Sequence, residues 1–549
     1  MSSCGGKVRT SASAAKRRAA LLCGAVLSLS ATPAFPERYQ IPQVTYSLEK
    51  TREGDLRRTV PVDTRRIFES REELDSYLDD LAQRLMNTRA FQSVEISETG
   101  EADEADETAK DAPDGGESVT MVPIRISAAD SKHLLILPYP KYDSNDGLVL
   151  KIKARNVNFL GTMSVLDAGV FAGIKEDEET GDQNLTLGAE LSYRLPFMLG
   201  PLLGSWNNNL DLQYTHGVNE LEFWSGTGLT FERPLGRVSL VLDLSEQANR
   251  VPEYGQFGDT QHFTSDISFS VPVRILDIDR WGFVTWTPFV DTRVSYDKDG
   301  ISRQNDDLAG PVISAGQSLS TARVNWHGNL RTGVSAEAGH SIGYDFMQRE
   351  VEPRFFGEVR AFKGMANIGI NARLSAFITK SNRGDVGALI RGARDKQKYM
   401  SAGGRELKTP RALKTPSALV LNIDIPVHII TTRWLDWTSS LFGADSRITR
   451  ALAWTDKFNF ELQMSPFIDI ALTKNEITGR LFSPKDGWYT CGAELLLFPE
   501  RWRGIVIRAS VGFDIGRAVI ARKTHGGIDT SWREDVKEYE IYLGIGLHY

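Results

Sequence analysis

The stretch GIVIRASVGFDIG, residues 504–516, alternates from Ile507 to Ile515. At a period of two, Ile505, Ile507, Ala509, Val511, Phe513 and Ile515 fall on one face, and Arg508, Ser510, Gly512 and Asp514 fall on the other. Such a segment is a strand with one oily face. Against a second sheet it belongs in a soluble sandwich; against lipid it is a stave of a membrane barrel with a polar lumen. One strand does not choose between the two, but the number and continuity of its relatives in the chain do.

Working outward, GLVLKIKARNVNF, NLTLGAELSYRL, RVSLVLDLSEQ, FTSDISFSVPV, RFFGEVRAFKG, ANIGINARLSAFI and NFELQMSPFIDIALT repeat the pattern between polar or Gly/Pro-rich connections. In the last of these, Asn459, Glu461, Gln463, Ser465, Phe467, Asp469 and Ala471 oppose Phe458, Phe460, Leu462, Met464, Ile468, Ile470 and Leu472, which turns Asp469 toward the lumen. The terminal YEIYLGIGLHY sets Tyr539, Ile541, Leu543, Ile545, Leu547 and Tyr549 against Glu540, Tyr542, Gly544, Gly546 and His548. The pattern runs through residues 131–549 with no linker at which a sandwich would divide into domains. The expectation is a mainly β chain dominated by a transmembrane antiparallel β-barrel of sixteen strands, at about 26 residues per strand and connection. Seventeen segments can be marked, an odd number that cannot close an all-antiparallel sheet with both ends on one side, so one between residues 262 and 365 is wrongly split or joined.

Composition agrees with this class. Hydrophobic residues make up 41% of the 549 and mean hydropathy is -0.27, with no apolar run near the roughly 20 residues of a spanning helix. Lys7, Arg9, Lys16, Arg17 and Arg18 precede AALLCGAVLSLSA, which reads as an export signal over residues 1–34, cleaved after Ala31 or Ala34. Cys23 is a candidate lipidation site, but the preceding Leu22 is larger than that chemistry usually accepts, and ordinary cleavage is the simpler reading. Loss of the signal takes the formal charge from -7 to -12, which argues against nucleic acid as a partner. Of Cys4, Cys23 and Cys491 only Cys491 then remains, so no intramolecular disulfide can form.

Residues 35–130 read as a small α+β domain. YQIPQVTYSLEK is a strand, and SREELDSYLDDLAQRLMNT is a helix with Ser70 and Glu73 as a capping box and Leu74, Tyr77, Leu78, Leu81 and Leu85 on one stripe. AFQSVEI and VTMVPIRI supply two more strands. Residues 97–118 between them are acidic and rich in small residues, as a disordered loop is, and lack the ligand spacing of a calcium loop.

Together these features resemble the Omp85 superfamily of outer-membrane barrels. The small domain is similar to a single periplasmic POTRA module through the helix running into NTRAFQSVEI, and NVNFLGTM resembles the end of the family's second barrel strand. The family's sixth extracellular loop carries an Arg-Gly pair, matched by Arg391 and Gly392 in LIRGARD, with Ala393 where an aromatic is usual. An inward acidic residue on the next strand is matched by Asp424, and a Phe-x-Asp-x-Gly pattern by Phe467 and Asp469, with Ala471 replacing the glycine. The resemblance implies that the loop folds into the lumen and inserts Arg391 between the two carboxylates, where charge-assisted bidentate bonds are far stronger than in a solvated pair. Without it, Arg391 is one solvated charge among Arg383, Arg394, Lys396 and Lys398.

Tyr542, Gly544, Leu547 and Tyr549 match the C-terminal signal by which such barrels are themselves recognised for assembly, an end strand read by strand addition. The function implied is outer-membrane protein assembly, insertion or translocation, in an accessory or specialised role, with no enzymatic chemistry and no cofactor or metal. The implied partners are unfolded outer-membrane or secreted client proteins, outer-membrane lipids and accessory lipoproteins, the barrel being monomeric and the small domain periplasmic. The mechanism needs a weak seam between HLLILPYPKY and the last strand, loosened by Gly544 and Gly546. A passive pore, or a surface adhesin or antigen of the same architecture, is the alternative. GHSIG, residues 339–343, satisfies a lipase pattern, but Ser341 lies within an alternating segment rather than on a strand-to-helix turn. The RGD at 383–385 is short enough to recur by chance.

Overall fold

The computed structural model describes residues 38–548 except 100–118, 144–146, 177–182, 217–220, 251–260, 279–280, 298–299, 301–310, 381–383, 388, 393–397, 403–404, 409–413, 475–478, 485–486, 517–523, 526–527 and 533–538. The export signal, most of the acidic stretch, Arg383 and Tyr549 thus lie outside the described residues. The chain divides into two compact units, one made of residues 1–45, 62–80 and 96–126, the other of 46–61, 81–95 and 127–549.

In the smaller unit, Arg38–Gln40 pairs antiparallel with Ile67–Phe68 and parallel with Val119–Met121. The single strand expected over YQIPQVTYSLEK is two, Arg38–Gln40 and Val44–Leu48, because Pro42 lacks the N–H that would continue the ladder. The sequence reading also missed a helix, α1 (Glu53–Thr59), whose only buried residue is Leu56. One apolar position in seven leaves no period to detect; ion pairs from Arg57 to Glu53 and Arg58 to Asp55 support it instead. The second helix, α2 (Arg71–Asn87), is where the stripe put it, with Leu74, Leu81 and Leu85 fully buried. Its cap differs in one detail: Ser70 Oγ accepts from the Glu73 N–H, but the Glu73 carboxylate accepts from the N–H of Glu69.

The larger unit is built on one antiparallel sheet, with strands numbered here from its first member. These are β1 (Leu134–Asp143), β2 (Gly147–Asn156), β3 (Leu166–Glu176), β4 (Gln183–Leu199), β5 (Leu202–Thr215), β6 (Leu221–Leu235), β7 (Val238–Arg250), β8 (Gln261–Ser270 and Val273–Ile278) and β9 (Gly282–Tyr296). There follow β10 (Val312–His327), β11 (Leu330–Asp345), β12 (Glu350–Met365), β13 (Ile368–Ile378), β14 (Ser417–Asp424 and Val427–Thr431), β15 (Phe460–Thr473), β16 (Trp488–Pro499), β17 (Ile507–Asp514) and β18 (Tyr539–Ile545). Each pairs with its sequence neighbours, and Tyr542 of β18 stands opposite Asp143 of β1, so the order closes on itself.

Among the described residues the sheet therefore has eighteen staves, not the expected sixteen. The mean spacing misled because the connections are unequal. Gly236 and Gly328 take positive φ in two-residue hairpins, whereas 379–416 and 432–459 are long excursions that inflate the average. β8 and β14 are each interrupted beside a proline, Pro272 and Pro426, and both pieces of each pair with the same two neighbours.

The faces alternate as the sequence does. On β15, Gln463, Ser465, Phe467, Asp469 and Ala471 are buried, while Met464 and Ile468 are exposed. Leu150 and Ile152 on β2 and Phe513 on β17 also point their side chains out of the protein. Two positions depart from this pattern. Ile505 is buried in a turn before β17, its N–H bonded to the carbonyl of Trp502. Alternation in the terminal strand stops at Gly546, whose φ of 106° turns the chain, and Leu547 packs on buried Leu496, Phe498 and Val506 instead of facing outward.

Candidate functional site

The connection between β13 and β14 returns to the inner face of the sheet. Its apolar anchors are Val386 and Ile390, fully or almost fully buried against Ala418 and Val420 of β14, Ala471 of β15 and Trp488 of β16. Burial of two such side chains contributes about 1.5 to 3 kcal/mol each. The anchors flank a tight turn, in which Leu389 N–H bonds to the Val386 carbonyl, and the Leu389 carbonyl accepts from Asn422 Nδ2 at 2.8 Å.

That turn delivers Arg391, 4% exposed, to a cage of acids. β14 and β15 pair with Asn422 opposite Asp469 and Asp424 opposite Phe467, so the two aspartates stand diagonally on adjacent inner faces. Asp469 takes three bonds from Arg391: the backbone N–H and Nε to Oδ2, both 2.9 Å, and a terminal guanidinium nitrogen to Oδ1 at 2.7 Å. The other terminal nitrogen reaches Asp424 Oδ1 at 2.7 Å and Glu494 of β16 at 3.3 Å. The guanidinium carbon lies 3.7 Å from the centre of the Phe467 ring, a close cation–π contact. Arg508 of β17 binds the same Glu494 oxygen, Oε1, at 3.2 Å.

Gly392 extends the contact to the last two strands. Its N–H donates to Glu540 of β18 at 3.2 Å, and its φ is 80°. A Cβ built there would lie 2.7 Å from the Gly512 carbonyl carbon, and one at Gly512 would lie 2.8 Å from Gly392 Cα, so two glycines are needed where loop and β17 backbones touch. The loop tip thus bonds or packs against every stave from β14 to β18. Three carboxylates, of Asp424, Asp469 and Glu494, hold the two guanidiniums, which makes each cation hard to remove.

The structure brings together Arg391, Gly392, Asp424, Phe467 and Asp469. Ala393 lies outside the described residues. Asn422, Glu494, Arg508, Gly512 and Glu540 were missed as members of the same site. Glu494 had a signal as the one charge in the apolar run AELLLF, and Gly512 and Arg508 share the inner face of the stretch at 504–516. Val386 and Ile390 had almost none, being two apolar residues in a long loop.

The described residues of the terminal stretch sit in different surroundings. Tyr542 turns inward beneath the Arg508 guanidinium, 4.5 Å from its ring centre. A Cβ at Gly544 would sit 2.1 Å from the Tyr542 hydroxyl, so this glycine makes room for the phenol. After the turn at Gly546, His548 Nε2 comes within 3.4 Å of the Leu389 carbonyl, next to the caged loop. At the seam one register pair joins β18 to β1 among the described residues, against seven between β17 and β18 and ten between β1 and β2. Pro138 and Pro140 deprive β1 of two N–H donors, a property of edge strands. Ser341 of the GHSIG pattern is in mid-strand on β11, opposite Gly316 and Arg354, and no strand-to-helix elbow presents it.

No family model and no curated protein matches the chain. Solved structures similar to it include BamA from Haemophilus ducreyi lacking POTRA domains 1–3, at 12% identity over 92% of this chain and 84% of that one, TM-score 0.36. CdiB from Acinetobacter baumannii is similar at 12% identity over 92% of this chain and 73% of that one, TM-score 0.42. CdiB from Escherichia coli is similar at 8% identity over 93% and 76%, TM-score 0.45. These are proteins of the Omp85 superfamily, the family that the sequence resembles.

Proposed function

We propose that the chain is an outer-membrane barrel of the Omp85 type that assembles, inserts or translocates client proteins, with residues 35–130 as a POTRA-like periplasmic module. The observation that carries this reading is the bracing of the terminal half by a caged loop right up to the place where the last strand meets the first. The caged loop ties β14 through β18 together by charged bonds, apolar anchors and backbone contact. Next to this brace, a single described register pair closes the sheet. An opened edge in a bilayer has unsatisfied backbone groups, and an incoming client strand satisfies them by strand addition. The outward apolar band and polar interior suit the outer membrane, and Arg391 holds the rest of the wall in register while the seam works.

The test is a seam lock, Asp143→Cys with Tyr542→Cys in a Cys491→Ala background, at the one described pair. Oxidised protein should fail to restore client proteins in a strain depleted of the native chain, and a membrane-permeant reductant should restore them. Full complementation by the locked form would overturn the reading in favour of a passive pore or surface protein. The spectrum of clients lost on depletion then separates general assembly from transport of one secreted partner.

A further inference from the structure

The connection between β14 and β15 holds two helices that the interior site does not use, α3 (Trp434–Phe442) and α4 (Arg447–Leu452), followed by a 3-10 turn at Ala453–Phe458. Its root is well tied. Thr432 and Phe460 exchange bonds, Trp434 N–H donates to Asn459 Oδ1 at 3.1 Å, and Trp434 Nε1 donates to the Phe458 carbonyl. Ser446 caps α4 by accepting from the Thr449 N–H at 3.0 Å, and Thr449 Oγ1 bonds the Gly443 carbonyl that ends α3. Trp434 with Trp437 and Trp454 with Phe458 form edge-on ring pairs.

A connection so firmly built ought to bury its apolar side chains, yet α3 has no buried residue. Leu441 is 76% exposed, Trp454 57%, Phe458 55%, Phe442 50%, Ile448 48% and Trp437 38%. In water each would forgo about 1.5 to 3 kcal/mol of transfer free energy. The strands from which the hairpin springs point to lipid as the cover, because within a few residues of its root Ile429 and Ile430 of β14 and Met464 of β15 are exposed apolar side chains, as on the outward band of the sheet. Cations are interspersed, with Arg433, Arg447 and Arg450 exposed among the helices. This is the composition of an interfacial helix, with aromatic and aliphatic groups sunk to the acyl boundary and long cationic chains reaching back to phosphates. The hairpin is at the end of the sheet where β1 begins: Asn459 accepts from the N–H of Glu500, and the adjoining turn accepts the Lys132 N–H at Arg501.

We infer that residues 432–459 form a membrane-surface anchor, embedded in the phospholipid headgroup–acyl boundary of the leaflet at the end where β1 begins, which is the periplasmic leaflet. The inference rests on the barrel reading and adds a second lipid contact of different depth. It fixes the height of β14 and β15, the two strands that carry Asp424 and Asp469.

The test uses the full chain, with Cys4, Cys23 and Cys491 replaced by alanine, folded into vesicles of phosphatidylethanolamine with a minority of phosphatidylglycerol. An environment-sensitive fluorophore is attached at Leu441→Cys, at Ser440→Cys on the polar side, or at Ile468→Cys on the outward face of β15. Lipids bearing a nitroxide near the headgroup or near the chain end then act as quenchers. The probe at 441 should be quenched at least about twofold more than that at 440, and best by the shallow nitroxide, while 468 answers best to the deep one. If 468 is quenched but 441 behaves as 440, the anchor is wrong and the barrel stands. If 441 is unquenched by lipid yet shielded from aqueous iodide, a protein covers the helices and the lipid assignment is overturned. If 468 is not quenched, the barrel reading fails and the anchor with it.

Discussion

Replacement of Arg391 by alanine would remove the cation shared by Asp469, which is fully buried, and Asp424 and Glu494, both nearly so, and would leave only Glu494 with its bond to Arg508. The side chain makes three charged hydrogen bonds of 2.7 to 2.9 Å, two to Asp469 and one to Asp424. At about 1.5 to 3 kcal/mol each these would sum to more than the loop can transmit, because the two bonds to Asp469 act as a unit. Measured losses on removing one partner of a buried pair, about 3 to 5 kcal/mol, are the better guide, and that is the destabilisation expected here. The low exposure of all three partners means that solvent screening does not reduce it. Urea denaturation in lipid vesicles, followed by tryptophan fluorescence, should show a lower midpoint with an unchanged slope. Arg237→Ala, exposed in the turn between β6 and β7, should shift stability by less than about 0.5 kcal/mol. Adding Asp469→Asn to Arg391→Ala should recover part of the loss, since one stranded charge is removed. The reasoning is refuted if Arg391→Ala costs no more than Arg237→Ala, or if the second substitution deepens the loss.

Further expectations follow from single contacts. Gly512→Ala places a methyl 2.8 Å from the Gly392 backbone, which cannot yield as a side chain could, and should cost about 1 to 3 kcal/mol in the same assay, whereas Gly226→Ala, with no atom nearer than 3.6 Å, should be nearly silent. Ile390→Ala, which hollows the loop's apolar anchor, should cost about 2 to 5 kcal/mol and expose the loop to protease; resistance equal to the parent's would remove the anchor role. Ile468→Arg, on the outward face of β15, should destabilise the vesicle-inserted protein by about 2 to 4 kcal/mol, and a harmless outcome would invert the face assignment.

Class and facing were legible in the sequence because the side-chain period of a strand is a local property. Gly512 and Asp469 could be turned inward from their neighbours alone, and the capped, leucine-striped helix at 71–87 from its own residues. Resemblance picked out Arg391, Asp424 and Asp469 as a set, but their spacing along the chain, Arg391 in one loop and the acids on separate strands, contains no distance. Strand number was misread because average spacing mixes two-residue hairpins with long excursions, and Leu547 was misplaced because one positive φ at Gly546 ends the alternation. What only the tertiary structure decided is the register of β14 through β18. It brings Glu494, Arg508, Gly512 and Glu540 round the same loop tip, and finds Val386 and Ile390 a core inside the sheet. The physical reason is that local pattern specifies which way a side chain points, while the partners of a buried charge are set by the pairing of strands distant in sequence, and no local preference encodes that pairing.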